Sequence, residues 1–441
     1  MQILQLLLAL SILVAVHEFG HFIFAKLFKT RVEKFYLFFD FLFPFTHVAN
    51  FSLFKKKIGD TEYGIGWFPL GGYVQISGMI DEQMDKSIFQ KKPEPWEFRS
   101  KPAWQRLLIM VGGLLMNVLL GVFIYWMILI IWGKDYIPAH ELKYGVQCDS
   151  LALSMGLNHG DQILSIDHQP IQSIEKIPLK IIIDQAKSLQ VKRNGSIINI
   201  PITEKNISDL LATVKKSFFV IPRTPVEVDS VIPHSYANAA GFQKGDLIIK
   251  VDTLPVFFFD EYMAAILLYK GKEKIPFTVV RNKDTLVLHS NISLKGTLGF
   301  IRNTEKYIPV KHEKYTLTRA IVQGTKNAAE NMVMQIKQLK ILFQVKEAHK
   351  QIGGFYSMYK AMPEVWDWRA FWSFTGFLSL VLAFMNFLPI PMLDGGYILF
   401  TLFEILTGIK VPEKFVYYAN QVGLVLLLGL MIWANTDWLR N

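Results

Sequence analysis

Four long apolar segments dominate the pattern of hydrophobic and polar positions along the chain. They cover residues 3–28, 107–132, 371–388 and 415–434. An α-helix crosses the bilayer core with about 18–20 apolar residues, so each segment predicts a membrane-spanning helix. No basic residue precedes the first segment and it contains no clear cleavage site, so we interpret it as a retained span rather than a signal peptide. A shorter apolar stretch at 396–409 predicts a re-entrant or interfacial helix.

Basic residues predict the orientation of these helices. Lys and Arg are frequent between the first two spans, with Lys86 and Lys91 among them, and none precedes the first span. The positive-inside rule therefore predicts an external N-terminus and a cytoplasmic first loop, after which the second span leads to an external region at 133–311. The lysine run at 55–57 is also compatible with a nucleic-acid patch. Its place beside a span favours the topology signal, and we expect no nucleic acid as a partner.

Composition agrees with a membrane protein. Of the 441 residues, 51% are hydrophobic and only 19% are charged, whereas soluble proteins have about 25% charged residues. This balance excludes intrinsic disorder, collagen and coiled coil as the dominant state. Because Cys148 is the single cysteine, an intrachain disulfide is excluded as well.

The predicted external region contains an internal repeat. Gly160-Asp161 and Gly245-Asp246 each precede an alternating strand, at 163–167 and 248–252, and each copy ends in two strands around a turn. This pattern resembles the PDZ domain, which binds chain ends or internal strands by adding them to a sheet edge. Two small β-rich domains that only stabilise the chain are the alternative. Residues 316–343 predict an amphipathic helix that lies parallel to the membrane or packs on the spans.

The first span carries the sequence His17-Glu18-Phe19-Gly20-His21. Residues four apart share one helix face, so both imidazoles can bind one metal ion. Glu18 is then placed to accept a proton from an attacking water molecule, as in the zinc-protease motif. A charged group at the bilayer centre costs about 2.5–3.5 kcal/mol, so three ionisable side chains within five positions indicate a functional site.

A catalytic zinc ion needs a third protein ligand, and Asp394 is the best candidate. It follows the third span directly, after Pro389 and Pro391. The two prolines prevent a regular helix, so this segment must be buried in protein or line a wet cavity. The first and third spans are predicted to run in the same direction, which brings His17 and Asp394 to the same side of the membrane. The alternative is a carboxylate at a helix end that faces water.

Together these features resemble the site-2 protease family of intramembrane zinc metalloproteases, in particular its regulator-of-sigma-E branch with tandem PDZ domains. The resemblance implies that His17, His21 and Asp394 bind Zn²⁺ and that Glu18 is the general base. It also implies a membrane-associated β segment in the first loop. The implied substrate-binding residues are Gly71, Gly72, Tyr73, Val74, Asn386, Pro389 and Pro391. In the second span, residues 113–117 resemble the family's Gly-Pro-x-x-Asn motif without its proline, which leaves a helix kink there open.

The expected fold is an α-helical polytopic membrane protein with four transmembrane helices, a membrane-associated β segment and two β-rich PDZ-like domains. The expected divisions are the first transmembrane helix (1–28), the cytoplasmic loop (29–103), the second transmembrane helix (104–132), the two PDZ-like domains (133–220 and 221–300), an amphipathic connector (301–369), the third transmembrane helix with the Asp394 segment (370–396), and the re-entrant or interfacial helix with the fourth transmembrane helix (397–441).

The function implied is hydrolysis of peptide bonds within the transmembrane segments of single-span proteins, such as anti-sigma factors or remnant signal peptides, after another protease has trimmed the external domain. The implied location is the bacterial inner membrane, with the N-terminus and both PDZ-like domains in the periplasm. These domains either filter substrates by size or recruit chain ends. Two other classes stay open. In a non-catalytic scaffold, Glu18 would have no function. A metal transporter would have ionisable groups spread over the spans, whereas here they cluster at one depth.

Overall fold

The computed structural model describes residues 1–42, 49–69, 71–79, 92–213, 217–345, 348 and 352–436. Lys86 and Lys91 of the predicted cytoplasmic loop lie outside the described residues. The chain forms two compact units. The first unit contains Met1–Gly133, Lys314–Lys340 and His349–Asn441, and the second contains Lys134–Glu313 and Ile341–Ala348.

The described helices are α1 (Gln2–Leu27), α2 (Ala103–Ile131), α3 (Ser150–Ser154), α4 (Ile177–Asp184), α5 (Glu204–Thr213), α6 (Tyr236–Ala239), α7 (Phe259–Leu268), α8 (Leu317–Gln344), α9 (Phe355–Ala361), α10 (Trp368–Phe387), α11 (Asp394–Thr407) and α12 (Glu413–Ala434).

The described strands are β1 (Val32–Leu37), β2 (Ser52–Ile58), β3 (Thr61–Gly66), β4 (Tyr73–Ile76), β5 (Lys134–Tyr136), β6 (Val146–Cys148), β7 (Gln162–Ile166), β8 (Gln169–Pro170), β9 (Ser188–Arg193), β10 (Ser196–Pro201), β11 (Val220–Pro222), β12 (Val228–Val231), β13 (Leu247–Val251), β14 (Leu254–Pro255), β15 (Ile275–Arg281), β16 (Asp284–Ser290), β17 (Phe300–Arg302) and β18 (Lys311–Glu313).

Four helices of the first unit, α1, α2, α10 and α12, are long and apolar enough to cross a membrane. They coincide closely with the four predicted segments, which confirms a polytopic helical membrane protein. α1 and α2 approach closely where Gly20 meets Gly112, and a Cβ atom at either glycine would overlap with the facing helix. Small residues permit such contacts between membrane helices. α2 is a continuous helix through residues 113–117.

The connection between α10 and α11 is irregular, as the two prolines predict. α10 ends at Phe387 and α11 begins at Asp394. The predicted re-entrant or interfacial helix thus starts at the proposed metal ligand itself. A carboxylate in the first turn of a helix also interacts favourably with the helix dipole.

A small sheet belongs to the first unit and has the strand order β2-β3-β1-β4. β4 forms one edge and pairs antiparallel with β1, with Val74 opposite Phe35. The ring of Tyr73 packs in a core with Tyr36, Phe39 and Phe41. A β segment is therefore present where the resemblance implied one.

α8 confirms the predicted amphipathic helix at 316–343. Within the first unit it contacts α2, where the indole Nε1 of Trp126 donates a hydrogen bond of 3.0 Å to Oγ1 of Thr325. The amide of Asn331 likewise donates to the hydroxyl of Tyr125 at 2.9 Å. These bonds show a contact with a span, whereas the placement of α8 relative to the membrane stays a prediction.

The second unit repeats one strand arrangement. The first copy has the order β10-β9-β7-β8 and the second the equivalent order β16-β15-β13-β14. Each copy has its own hydrophobic core, one around Ile163 and Val191 and the other around Ile248 and Phe277. The two predicted Gly-Asp turns enter β7 and β13, so the repeated residues correspond to a repeated structure. The division at residue 220 and the PDZ assignment stay predictions.

Each Gly-Asp turn is held by an arginine from the hairpin that ends its copy. Nε and Nη2 of Arg193 donate to the two carboxylate oxygens of Asp161 at 2.8 and 2.7 Å. Arg281 makes the same pair of bonds to Asp246 at 2.6 and 2.7 Å. Both carboxylates are fully buried, so bidentate pairing satisfies a charge that is otherwise costly inside a protein.

Candidate metal centre

His17 and His21 lie one turn apart on α1, and both are buried. Nδ1 of His21 lies 2.9 Å from the carbonyl oxygen of Ile109 in α2. A proton on Nδ1 is donated to that carbonyl, which leaves Nε2 with a free lone pair. Gly113 makes room for both rings, because a Cβ atom at this position would overlap with Nε2 of His21 and lie 2.7 Å from Cε1 of His17.

Asp394 completes a triangle of ligand atoms. Its Oδ2 lies 3.2 Å from Nε2 of His17 and 3.3 Å from Nε2 of His21. The two Nε2 atoms are 3.3 Å apart. Nitrogen and oxygen ligands at about 2.0–2.1 Å from a tetrahedral zinc ion lie about 3.3 Å from one another. The three side chains therefore have the spacing of three corners of a zinc coordination tetrahedron.

Hydrogen bonding gives a second test of whether a metal ion fits. Oδ2 of Asp394 is buried, makes no hydrogen bond and faces the Nε2 atoms of the two imidazoles. A buried, unsatisfied charged oxygen costs at least about 1–3 kcal/mol, and a bound cation would remove that cost. Among the described residues, this is the one group of three His, Cys, Asp or Glu side chains whose ligand atoms come so close together.

Two asparagines surround His17. The side-chain amide of Asn117 lies 3.2 Å from Nδ1 of His17, and its Oδ1 is buried without a partner. Turning this amide by 180° lets Oδ1 accept a hydrogen bond from Nδ1–H, which holds Nε2 toward the ligand triangle. On the other side, the amide nitrogen of Asn386 lies 3.2 Å from Nε2 of His17.

The ligand triangle opens into a cavity of about 230 Å³. Glu18 lines this cavity together with the three ligands. A carboxylate, a metal-binding triangle and space for a peptide segment thus meet in one place among apolar helices. This arrangement is suited to hydrolysis by a metal-activated water molecule.

Comparison with known proteins identifies the family. Residues 5–430 match the family model of Peptidase family M50. The chain belongs to peptidase family M50. It is accordingly a membrane metalloendopeptidase of the site-2 type, which confirms the resemblance drawn from the sequence motifs.

Three relatives align over nearly their whole length. The regulator of sigma-E protease RseP of Escherichia coli (strain K12) is 27% identical over 453 residues, 97% of this chain and 96% of the relative. The regulator of sigma E protease of Salmonella typhi is 27% identical over 458 residues, with the same coverage. A relative in Xylella fastidiosa (strain Temecula1), whose name is that of a zinc metalloprotease, is 25% identical over 456 residues, again with 97% and 96% coverage.

The structure brings some of the predicted substrate-binding residues of this M50 peptidase to the cavity. Gly71, Gly72, Val74 and Asn386 line it beside the ligands. Tyr73 turns its ring into the core of the small sheet, and its hydroxyl donates to Oδ1 of Asp40 at 2.9 Å. Tyr73 is not among the residues that line the cavity, so its role in substrate binding stays a prediction.

Pro389 and Pro391 are placed by the irregular segment before Asp394 rather than among the residues that line the cavity. Pro391 packs against α12, where a Cβ atom at Gly423 would overlap with the Pro391 carbonyl. The two prolines therefore shape the backbone that carries the ligand.

Several cavity residues escaped the sequence interpretation. Met392, Tyr397 and Asn420 line the cavity. Asn420 is fully buried in α12, and Asn117 is equally buried in α2. Asn117 was already noted as the end of the motif at 113–117, and for Asn420 a polar residue within an apolar span was the available signal, because such residues are costly in a membrane and persist mainly for function.

Proposed function

We propose that this M50 peptidase is an intramembrane zinc metalloprotease that cleaves the transmembrane segments of single-span proteins. The observation that carries the proposal is the triangle of ligand atoms at 3.2–3.3 Å from His17, His21 and Asp394. Two of its corners belong to a helix long and apolar enough to cross a membrane. A hydrolytic centre on a membrane-spanning helix is suited to peptide bonds that are themselves in the membrane.

The chain supplies both a metal site and a base. A zinc ion held by the three ligands would polarise the scissile carbonyl group and lower the pKa of a water molecule to about 7. Glu18 accepts the proton of the attacking water and then donates it to the leaving nitrogen. Asn117 and the Ile109 carbonyl hold the two imidazoles in the orientation that presents Nε2 to the metal.

The substrate must be unwound before it can be cleaved. A transmembrane helix buries its peptide groups in internal hydrogen bonds, and groups that are freed in the membrane need new partners. The outer edge of β4 can pair with an extended substrate, since β4 is the last strand of its sheet. Asn386 adds an amide beside His17. Both elements line the same cavity, so an extended segment bound there would pass the metal site.

The external part of the substrate is restricted by the second unit in this proposal. The relatives' names refer to regulation of sigma-E, which supports anti-sigma factors of the inner membrane as one substrate class, and remnant signal peptides are another. The repeated β-rich folds would lie in the periplasm, as the positive-inside rule predicts. They would act as PDZ domains that admit substrates only after another protease has trimmed them, or that bind the new chain ends.

Cleavage of a tagged single-span substrate by the purified full-length protein tests the catalytic proposal. Glu18→Gln cannot accept the proton, so we expect at least about a 100-fold loss of cleavage with zinc still bound. Asp394→Asn should lower the zinc content as well, because an amide is a poorer ligand than a carboxylate. Glu364→Gln changes an exposed acid and is the matched control. Normal cleavage by Glu18→Gln would contradict Glu18 as the base. No cleavage by the unaltered, zinc-loaded protein would contradict the proteolytic function and favour a scaffold.

A deletion tests the proposed size restriction. β5 and β18 pair at the two ends of residues 134–313, so the chain enters and leaves the second unit on neighbouring strands. A short linker can therefore replace residues 137–310. We expect the shortened protein to cleave untrimmed substrate, which the full chain rejects. Continued rejection of untrimmed substrate, with trimmed substrate still cleaved, would contradict the size filter. Loss of trimmed-substrate cleavage with zinc retained would favour recruitment of chain ends.

A further inference from the structure

The residue two positions before Asp394 has an unusual backbone. Met392 has a φ angle of +81°, in the left-handed region that non-glycine residues rarely adopt. Such a conformation persists only where the surrounding structure holds it. Because Met392 precedes the metal ligand by two residues, its backbone determines where α11 begins and where the Asp394 carboxylate points.

The hydrogen bonds of this segment show what holds Met392. Pro389 and Pro391 have no N–H group. The N–H groups of Ile390 and Leu393 donate to carbonyl oxygens within the segment, at 2.7 Å to Leu388 and 3.2 Å to Ile390. The N–H group of Met392 instead donates to the side-chain Oδ1 of Asn420, at 3.2 Å.

Asn420 lies on the fourth span and uses both ends of its amide. Its Oδ1 accepts from Met392, and its Nδ2 donates to the hydroxyl of Tyr397 at 3.2 Å. Tyr397 is in the first turn of α11, so the two bonds flank Asp394 along the chain. Gly423, one turn further along α12, lets this helix approach the Pro391 carbonyl so closely that a Cβ atom would overlap with it. α12 therefore contacts the ligand segment both before and after Asp394 in the chain.

We propose that Asn420 is a positioning residue for the metal ligand Asp394. It holds Met392 in the left-handed conformation and thereby keeps the Asp394 carboxylate at the distance from His17 and His21 that ligands of one zinc ion require. This inference rests on the proposed zinc site. Asn420 has no contact with the metal or with the scissile bond in this scheme. It acts through the backbone of Met392 and through Tyr397.

Zinc binding by the full-length protein provides the test. Zinc affinity is measured in chelator-buffered zinc, and the visible spectrum of the cobalt-substituted protein reports the ligand geometry. We expect Asn420→Ala to weaken zinc binding at least about tenfold and to shift the cobalt spectrum. Asn435→Ala is the matched control, because the Asn435 side chain also accepts from a backbone N–H, that of Phe355 at 2.9 Å, near the other end of α12. It should leave both readouts unchanged.

Two substitutions at Met392 test the backbone without altering Asn420. Glycine adopts positive φ freely, whereas a β-branched valine resists it. We therefore expect Met392→Gly to bind zinc about tenfold more tightly than Met392→Val. A role of Met392 in packing alone predicts the reverse order, since glycine removes more of the side chain. The double variant Asn420→Ala with Met392→Gly should bind zinc more tightly than Asn420→Ala alone.

The outcomes separate this inference from the proposed function. If the unaltered protein binds no zinc, the metal site itself is wrong. If the unaltered protein binds zinc and Asp394→Asn does not, the site stands. Unchanged zinc affinity and cobalt spectrum in Asn420→Ala would then overturn the positioning role alone. Tighter zinc binding by Met392→Val than by Met392→Gly would overturn it too.

Discussion

Buried polar groups differ between the two units. In the second unit, the buried carboxylates of Asp161 and Asp246 each receive two hydrogen bonds from an arginine. In the first unit, Oδ2 of Asp394 is buried without a hydrogen bond and faces the Nε2 atoms of His17 and His21. Buried polar groups in native proteins are nearly always satisfied, so an exception calls for a specific explanation.

The comparison teaches how to distinguish a structural charge from a functional one. Asp246 and Asp394 both stand where a loop enters a regular element. The pairing of Asp246 is complete within the chain, and its twin Asp161 repeats it. Oδ2 of Asp394 instead lies 3.2 and 3.3 Å from two imidazole nitrogens. This is the spacing between ligands of one zinc ion, so a bound metal ion would complete the arrangement. The convergence of two imidazoles on the carboxylate, rather than burial or a missing hydrogen bond alone, marks the site.

The largest effect is expected from a substitution that disrupts the metal site of the first unit without replacing a ligand. Gly113→Ala places a methyl group against His21 and His17, so the rings must move and the triangle opens. We expect loss of bound zinc and at least about a 100-fold loss of cleavage, measured by metal analysis and substrate cleavage. Leu119→Ala is the control in the same helix, because the Leu119 side chain is exposed and both measurements should stay close to normal.

The sequence predicted the elements and the local chemistry of both units. Two histidines four residues apart on one helix need only helical geometry, and the two prolines already indicated an irregular segment before Asp394. The observed β9 and β10 likewise follow from alternation around Asn194-Gly195. These features depend on residues that are close together in the chain.

Contacts between spans could not be predicted in the same way. Apart from a few polar residues, α1 and α2 are apolar around their circumference, so their hydrophobic pattern does not say which apolar side of one helix meets the other. The approach of Gly20 to Gly112, the bond of His21 to the Ile109 carbonyl and the contact of Asn420 with Met392 all depend on helix rotation and depth. Only the three-dimensional packing reveals them.

The second prediction concerns the removal of a buried structural charge, the Asp246 carboxylate, from the second unit. Asp246→Asn removes the buried negative charge that pairs with Arg281, whose side chain is partly exposed, so we expect a loss of roughly 3 kcal/mol, the low end of the range for buried pairs. We expect faster proteolysis within residues 134–313 in moderate urea. Zinc content should persist. All ten tryptophans lie outside residues 134–313, so tryptophan fluorescence reports the first unit separately.

Asp229→Asn is the control for that experiment. Asp229 pairs with Lys244 at 2.9 Å, but both side chains are exposed, and exposed ion pairs contribute little to stability. Proteolysis should therefore match that of the unaltered protein. Zinc loss in Asp246→Asn without faster proteolysis would contradict the assignment of Asp246 as a structural charge.

The third prediction sharpens the role of the small sheet in the first unit. Val74→Pro removes an N–H group from β4 and distorts its edge. We expect about fivefold slower cleavage of a stable substrate helix, equivalent to roughly 1 kcal/mol. The loss should be smaller for a substrate with glycine or proline near the scissile bond, which unwinds more easily. Lys56→Pro alters the opposite edge strand, β2, and serves as the control. Equal losses for both substrates would indicate that β4 serves folding alone.

The smallest expected effect concerns Cys148 in the second unit. Burial, reinforced by the nearby carboxylate of Asp161, raises the pKa of the Cys148 thiol to about 12. At pH 8 the thiolate fraction is then about one in ten thousand, compared with roughly a quarter for an ordinary cysteine. Alkylation of the folded protein by iodoacetamide should therefore be at least a thousandfold slower than in urea, and Cys148→Ala should leave cleavage unchanged. Because a raised pKa favours the neutral thiol, alkylation should accelerate as the pH rises toward 12. Rapid alkylation at pH 8 would show that this buried group, unlike Asp246, is open to solvent.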